Sequence, residues 1–166
     1  MNSIFTRRSV RKFLPQAVEP EKIDRILRAA MQAPSATNQQ PWEFLVVDDK
    51  ELIDRLSQFS QYSKLLLGAP LAVVALERTG LRAQTFVPQD MGACVENLML
   101  QAVQEGLGSV WMGVGGGERR QFINDMFSLP RTVEPFAVIA VGYPEEENAN
   151  HFVDRYDAER VHFNKY

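Results

Sequence analysis

A single α+β sandwich is the fold class this chain predicts, and three observations carry that expectation. Segments with helical apolar spacing and segments with strand character both occur. They do not alternate regularly, as a doubly wound sheet requires, and 166 residues with 45% hydrophobic and 23% charged side chains suit one domain with a sizeable core. An α/β sandwich is the neighbouring alternative, and residues 1–166 show no internal repeat, low-complexity segment or interdomain linker.

The elements follow from spacing and punctuation. From Pro20, the residues Ile23, Ile26, Leu27, Ala30 and Met31 fall on one helical face, with proline where a first turn tolerates it. The pattern stops at Ala33-Pro34-Ser35, and the turn formers through Pro41 lead into Phe44–Val47, which reads as a buried strand. Asp49 caps a second helix carrying Leu52, Ile53, Leu56 and Phe59, and Leu71–Leu76 follows Pro70 as another strand. After Pro88, the stripe Met91, Cys94, Val95, Leu98, Ala102 and Val103 predicts a long central helix that stops at Gly106. Ala93 and Met99 widen that stripe, which points to burial inside the fold or against another subunit. Ser109–Met112 is a short strand, Phe122 to Phe127 a helix ended by Pro130, and Phe136–Val141 the last strand. Beyond Gly142-Tyr143-Pro144 runs an acidic stretch and a tail mixing Phe152, Tyr156, Val161, Phe163 and Tyr166 with charges, a composition that wants a surface to lie on.

Composition excludes several functions. A net charge of -3 argues against general nucleic-acid binding. One cysteine rules out an intramolecular disulfide and suits a reducing, cytoplasmic setting; no segment reads as a signal peptide or membrane span. One cysteine and two histidines, both late in the chain, cannot build a zinc site of the usual spacing or a serine triad in the body of the domain, and Cys94 lies in the apolar stripe as a core residue.

Two stretches carry chemistry. Arg7-Arg8-Ser9-Val10-Arg11 sets three guanidiniums around a hydroxyl, and arginine's planar fork grips phosphate in two places. A solvated basic helix start and a short nucleic-acid arm are the plainer alternatives for that segment. Gly113-Val114-Gly115-Gly116-Gly117 follows a strand and precedes a helix, where backbone N–H groups meet ligands; it is equally readable as a glycine turn. It fits neither the dinucleotide pattern nor the phosphate-loop pattern.

Three motifs in order resolve the ambiguity: Arg-Arg-Ser-x-Arg, then Ala33-Pro34-Ser35-Ala36-Thr37-Asn38-Gln39-Gln40-Pro41-Trp42-Glu43-Phe44, then Gly106-Leu107-Gly108-Ser109-Val110-Trp111-Met112-Gly113. Together with Phe136–Pro144 and the tail Asp154-Arg155-Tyr156, they resemble the FMN-dependent nitroreductase family over nearly the whole chain. The resemblance implies an α+β sandwich with a mixed, mainly antiparallel central sheet flanked by helices. It also implies an intertwined homodimer in which residues 145–166 wrap the partner, with one FMN in each interface cleft.

By the same resemblance, Arg7, Ser9 and Arg155 bind the ribityl phosphate end, and Arg11 meets the pyrimidine edge of the flavin, where positive charge favours the reduced anion. Arg8 contributes by backbone or side chain. Pro34, Ser35 and Asn38 form the loop that reaches the flavin of the other subunit, while Trp42 packs in the core. The backbone of Met112 and Gly113 approaches flavin N5, so no side-chain base is needed. NADH or NADPH reduces the flavin and leaves; a nitroaromatic, quinone or similar small acceptor then takes the electrons in a ping-pong cycle. Gln58 to Ala69 is too short for the extra helices that cover the substrate in longer relatives, which implies an open acceptor pocket. Two rivals stand beside this reading. One is a flavin-binding sensor or storage protein without nicotinamide turnover; the other is a different nucleotide-binding module using Arg7–Arg11 and the glycine cluster, with Glu134 on the ribose.

Overall fold

In the computed structural model, which describes residues 2–166, the chain begins with one helical turn that no periodicity announces. The Asn2 side chain accepts the Ile4 N–H at 3.0 Å and starts α1 (Ser3–Thr6). The predicted helix from Pro20 is α2 (Pro20–Ala30), with the proline in its first turn. Asp49 caps α3 (Lys50–Leu56) by accepting the Leu52 N–H at 2.9 Å. Phe59, expected on that helix, lies just beyond it and is buried by the following turn.

The central helix α4 (Val87–Gln104) ends as the glycine signal predicts. Gly106 has φ +77°, its N–H donates to the Val103 carbonyl at 3.1 Å, and the Leu107 N–H donates to Ala102 at 2.8 Å. That doubly bonded stop needs a left-handed residue after the helix, which glycine supplies without steric cost. Helix α5 (Glu118–Phe127) stops two residues before Pro130, at Ser128 in the left-handed conformation.

Strands β1 (Trp42–Val47), β2 (Leu71–Arg78), β3 (Gly108–Gly113) and β4 (Val133–Gly142) form one sheet in the order β1-β2-β4-β3. All three pairings are antiparallel; the parallel element is a single bridge between Ser9 and Ser109. Alternation along β2 and β4 splits the core in two. Val73, Ala75 and Ile139 face α2 and α4, packing with Ile26, Met91, Cys94 and Leu98. Ala72, Val74, Val138 and Ala140 face α3 and α5, packing with Ile53, Leu56, Leu66 and Ile123. Two helical layers therefore sandwich the sheet, and residues 151–166 run beyond the body with every side chain at least partly exposed. Among the described residues no helix is long and apolar enough to cross a membrane.

Candidate active site

Ser9 and Val10 meet the outer edge of β3 at Ser109, the segment then running on to Phe13, which bridges Pro144 beyond β4, and close approach at the β3 edge is a matter of space. A Cβ on Gly108 would meet Val10 side-chain carbons at 2.7 Å, so glycine lets the segment lie flat against the strand. The Val10 N–H donates to the Ser109 carbonyl at 3.0 Å, fixing the register of the flanking arginines.

Each arginine has a distinct setting. Arg7 donates from Nε to Glu96 of α4 at 3.1 Å, which orients the guanidinium and leaves its terminal nitrogens without a partner among the described residues. Arg8 donates from Nη2 to the Phe5 carbonyl at 3.0 Å and from Nη1 to the Arg7 carbonyl, stitching down the end of α1, while its backbone N–H donates to Asn150 Oδ1 at 3.1 Å. Ser9 and Arg11 are exposed, and Arg11 Nη1 donates to the Ser9 carbonyl at 3.1 Å. The Arg8 guanidinium titrates below its ordinary value, first because it is desolvated and then because Arg155 and Arg7 repel its charge. Arg8 Nε is buried without a partner among the described residues. Arg7 and Arg8 are neighbours in this segment, the charge of Arg155 reaches Arg8, and Glu96 pairs with Arg7, so the donor set fits a phosphate.

The loop after α2 carries Pro34, Ser35 and Asn38 at or near the surface. It contains a short 3-10 turn, Ala36–Asn38, and is tied to the first turn of α4. Asp90 Oδ1 accepts the Ala36 N–H at 3.0 Å, and Asp90 Oδ2 accepts from Gln39 Nε2 at 2.7 Å. Trp42 is buried at the start of β1, as expected for a core aromatic.

The outer edge of β3 is the third component. Ser109 pairs with residues 8–10 across that edge, and the two-residue period of an antiparallel strand turns the backbone groups of Trp111 and Gly113 to the same side. The Gly113 N–H thus faces the open edge, while the backbone of Met112 is turned toward β4 and its side chain is buried. The glycine cluster forms the turn into α5, with Gly115 at φ +67° and Gly117 at φ +66°. Arg120 steadies that turn by donating to the Gly115 carbonyl at 3.2 Å.

The arginine segment meets the β3 edge within one chain, and the charge of Arg155 reaches Arg8. The Pro34–Asn38 loop does not join them: it is anchored at Asp90, six residues before Glu96 on α4 and about 9 Å away along the helix axis. Asp90, which holds the loop, and Glu96, which holds Arg7, are contacts that motif reading missed. Asp90 was detectable as a charge at i+3 from Val87 and i−4 from Cys94, squarely on the buried stripe; Glu96 carries no such signal.

Other chemistry is disfavoured by placement. Cys94 is fully buried, and burial pushes its thiol up to about 12, far from a thiolate nucleophile. No cluster of three or more metal-ligating side chains occurs among the described residues. Glu134 pairs across the sheet with Glu77 and lies 3.5 Å from Arg120, and the flanking strands β3 and β4 are antiparallel, so the βαβ unit of a dinucleotide module is missing from this place.

Known proteins resemble this chain over its whole length. A protein of Archaeoglobus fulgidus named as an NADH dehydrogenase/NAD(P)H nitroreductase is 35% identical over the whole of this chain and 98% of its own length. The crystal structure of a Clostridium acetobutylicum protein named as an NADH oxidase superposes with a TM-score of 0.94 at 48% identity, covering 99% of both chains. An FMN-dependent nitroreductase from Clostridium difficile superposes with a TM-score of 0.90 at 34% identity, again covering 99% of both. The nitroreductase family model matches residues 4–62 and 60–143, and on that match and these relatives the chain belongs to the nitroreductase family.

Proposed function

We propose that this protein is an FMN-dependent oxidoreductase that takes electrons from NADH or NADPH and passes them to a small electron-poor acceptor, a nitroaromatic or quinone. The observation that carries the proposal is Arg7, whose Nε is held by Glu96 while its terminal nitrogens have no partner among the described residues, next to the open edge of β3. Bound FMN would supply hydride acceptance and donation. Arg7 and Arg155 hold the phosphate end, with Ser9 beside them. Arg11 places a positive charge at the pyrimidine edge of the ring, and the Gly113 N–H offers a donor to N5 from a rigid strand. Glu96 keeps Arg7 aimed at the cleft.

A homodimer completes the site in this proposal. The loop bearing Pro34, Ser35 and Asn38 stands apart from its own chain's arginines, and residues 153–166 extend with Tyr156 76% and Phe163 81% exposed, bonded mainly to themselves. Such a tail buries its aromatics only against a second subunit, and the loop of one subunit then faces the arginines of the other. The proposed reaction is tested by initial rates with NADH or NADPH varied against a quinone or nitroaromatic. A ping-pong cycle gives parallel double-reciprocal lines; intersecting lines mean that both substrates bind together and contradict it.

A further inference from the structure

We propose that Asp90 is a positioning residue for the cofactor cleft, holding loop 35–40 in the strained shape that presents Ser35 and Asn38. The inference rests on the FMN reading above, because that reading makes the loop part of a binding site. Asp90 is only 6% exposed and makes no ion pair among the described residues. A carboxylate is expensive in that position unless hydrogen bonds hold it, and each of its oxygens is committed to the loop: Oδ1 to the Ala36 N–H and Oδ2 to the Gln39 side-chain amide. Its place in the first turn of α4 also lets the helix dipole favour the charge.

Gln39 extends the hold. Its amide nitrogen also donates to the Ala83 carbonyl at 3.1 Å and its amide oxygen accepts the Ala83 N–H at 3.2 Å, so the loop is clamped to the connection between β2 and α4 as well. The held segment is one a free chain would leave. Thr37 at φ +54°, Asn38 at φ +54° and Gln40 at φ +47° are left-handed without being glycine, and a β-branched threonine is the least tolerated there. Backbone of this kind persists where the surroundings over-determine it, and such strain concentrates at ligand clamps. Ser35 joins the device, its Oγ accepting the Gln40 N–H at 3.0 Å. The two buried acceptors and the clamp thus convert a flexible stretch into a preformed lip.

The test uses the full-length protein with Asp90→Ala, Asp90→Asn, Gln39→Ala and Thr37→Asn, measuring FMN affinity by flavin fluorescence, melting temperature, and hydrogen exchange of the amides of residues 36–40. The expected results for Asp90→Ala and Gln39→Ala are faster exchange confined to the loop and FMN dissociation constants raised about tenfold or more, as for a lost charge-assisted bond. Asp90→Asn, which keeps an acceptor for Ala36, recovers part of the affinity. Thr37→Asn, whose side chain tolerates the left-handed region, recovers part of it when added to Gln39→Ala. Where Asp90→Ala melts globally, Gln39→Ala decides alone. An affinity and loop exchange unchanged in Gln39→Ala, with FMN bound normally by the unmodified protein, overturn the positioning role. Failure of the unmodified protein to bind FMN overturns the functional reading instead, and the exchange data still report whether Asp90 holds the loop.

Discussion

Arg7 donates to Glu96 through Nε alone, at 3.1 Å, so the carboxylate aims the guanidinium without occupying the two terminal nitrogens that can grip a phosphate. That geometry separates the phosphate from the rest of the flavin. Arg7→Ala is expected to raise the FMN dissociation constant by about 10- to 100-fold, corresponding to roughly 1.5–3 kcal/mol for a hydrogen bond to a charged group. Riboflavin, which lacks the phosphate, should bind the variant and the unmodified protein equally. Equal losses for both ligands would show that Arg7 does not read the phosphate.

Gly108 links the packing of the arginine segment to binding. Its added Cβ would lie 2.7 Å from the Cβ of Val10, a buried β-branched residue with little room to yield. Gly108→Ala is therefore expected to destabilise the fold by about 1–3 kcal/mol through overpacking and to weaken FMN binding by shifting Arg7 and Ser9 off β3. Ser9 and Val10 are the residues that lie on β3, so the shift reaches Arg7 through them, and denaturant melts and FMN titration check both effects. A variant of unchanged affinity would show that the register of this segment does not set the site.

The junction of α2, α4 and β4 sets a pH window for stability. Tyr143 donates to Glu19 and accepts from Lys22 at 2.7 Å, and Glu105 accepts from both Nε and Nη2 of Arg25. The Tyr143 hydroxyl holds Glu19 below the usual carboxylate range, Arg25 does the same for Glu105, and Tyr143 raises Lys22. The two acids contribute stability that is full above the ordinary carboxylate pKa of about 4.3 and is lost as pH falls through their depressed values; Lys22 contributes stability that is full below about 10.4 and is lost as pH rises through its raised value. The contribution of this junction to the melting temperature should hence be flat between these limits and fall on both sides, on top of the loss above about pH 8.5 that the buried Cys94 thiol imposes. Tyr143→Phe should weaken the alkaline limb, leaving the share due to Cys94, and part of the acid limb, leaving the share due to Glu105.

The sequence was legible where a repeat of spacing and a stop signal coincide, and illegible where one contact decides. Pro20, Asp49 and Gly106 mark helix ends because the backbone at each has a specific need that those residues meet. The single turn α1 escapes because four residues cannot show a period; the Asn2 cap makes it. Leu65-Leu66-Leu67 reads as apolar throughout, yet only Leu66 is fully buried, since a 3-10 turn aims one side chain inward. In the site, the arginines and the Pro34–Asn38 loop are visible as motifs. Glu96 is not, because its value lies in a partner distant in the chain, and Asp90 shows only as a charge on the buried stripe of α4, its loop partners hidden.

The most direct test of the flavin-reductase proposal is the visible spectrum of the purified protein, recorded without oxygen before and after addition of NADH or NADPH. The predicted result is a set of oxidised flavin bands, retained through purification or restored by added FMN, that bleach on addition of the nicotinamide. A protein that refuses added FMN, or holds flavin whose bands neither nicotinamide bleaches, would contradict it.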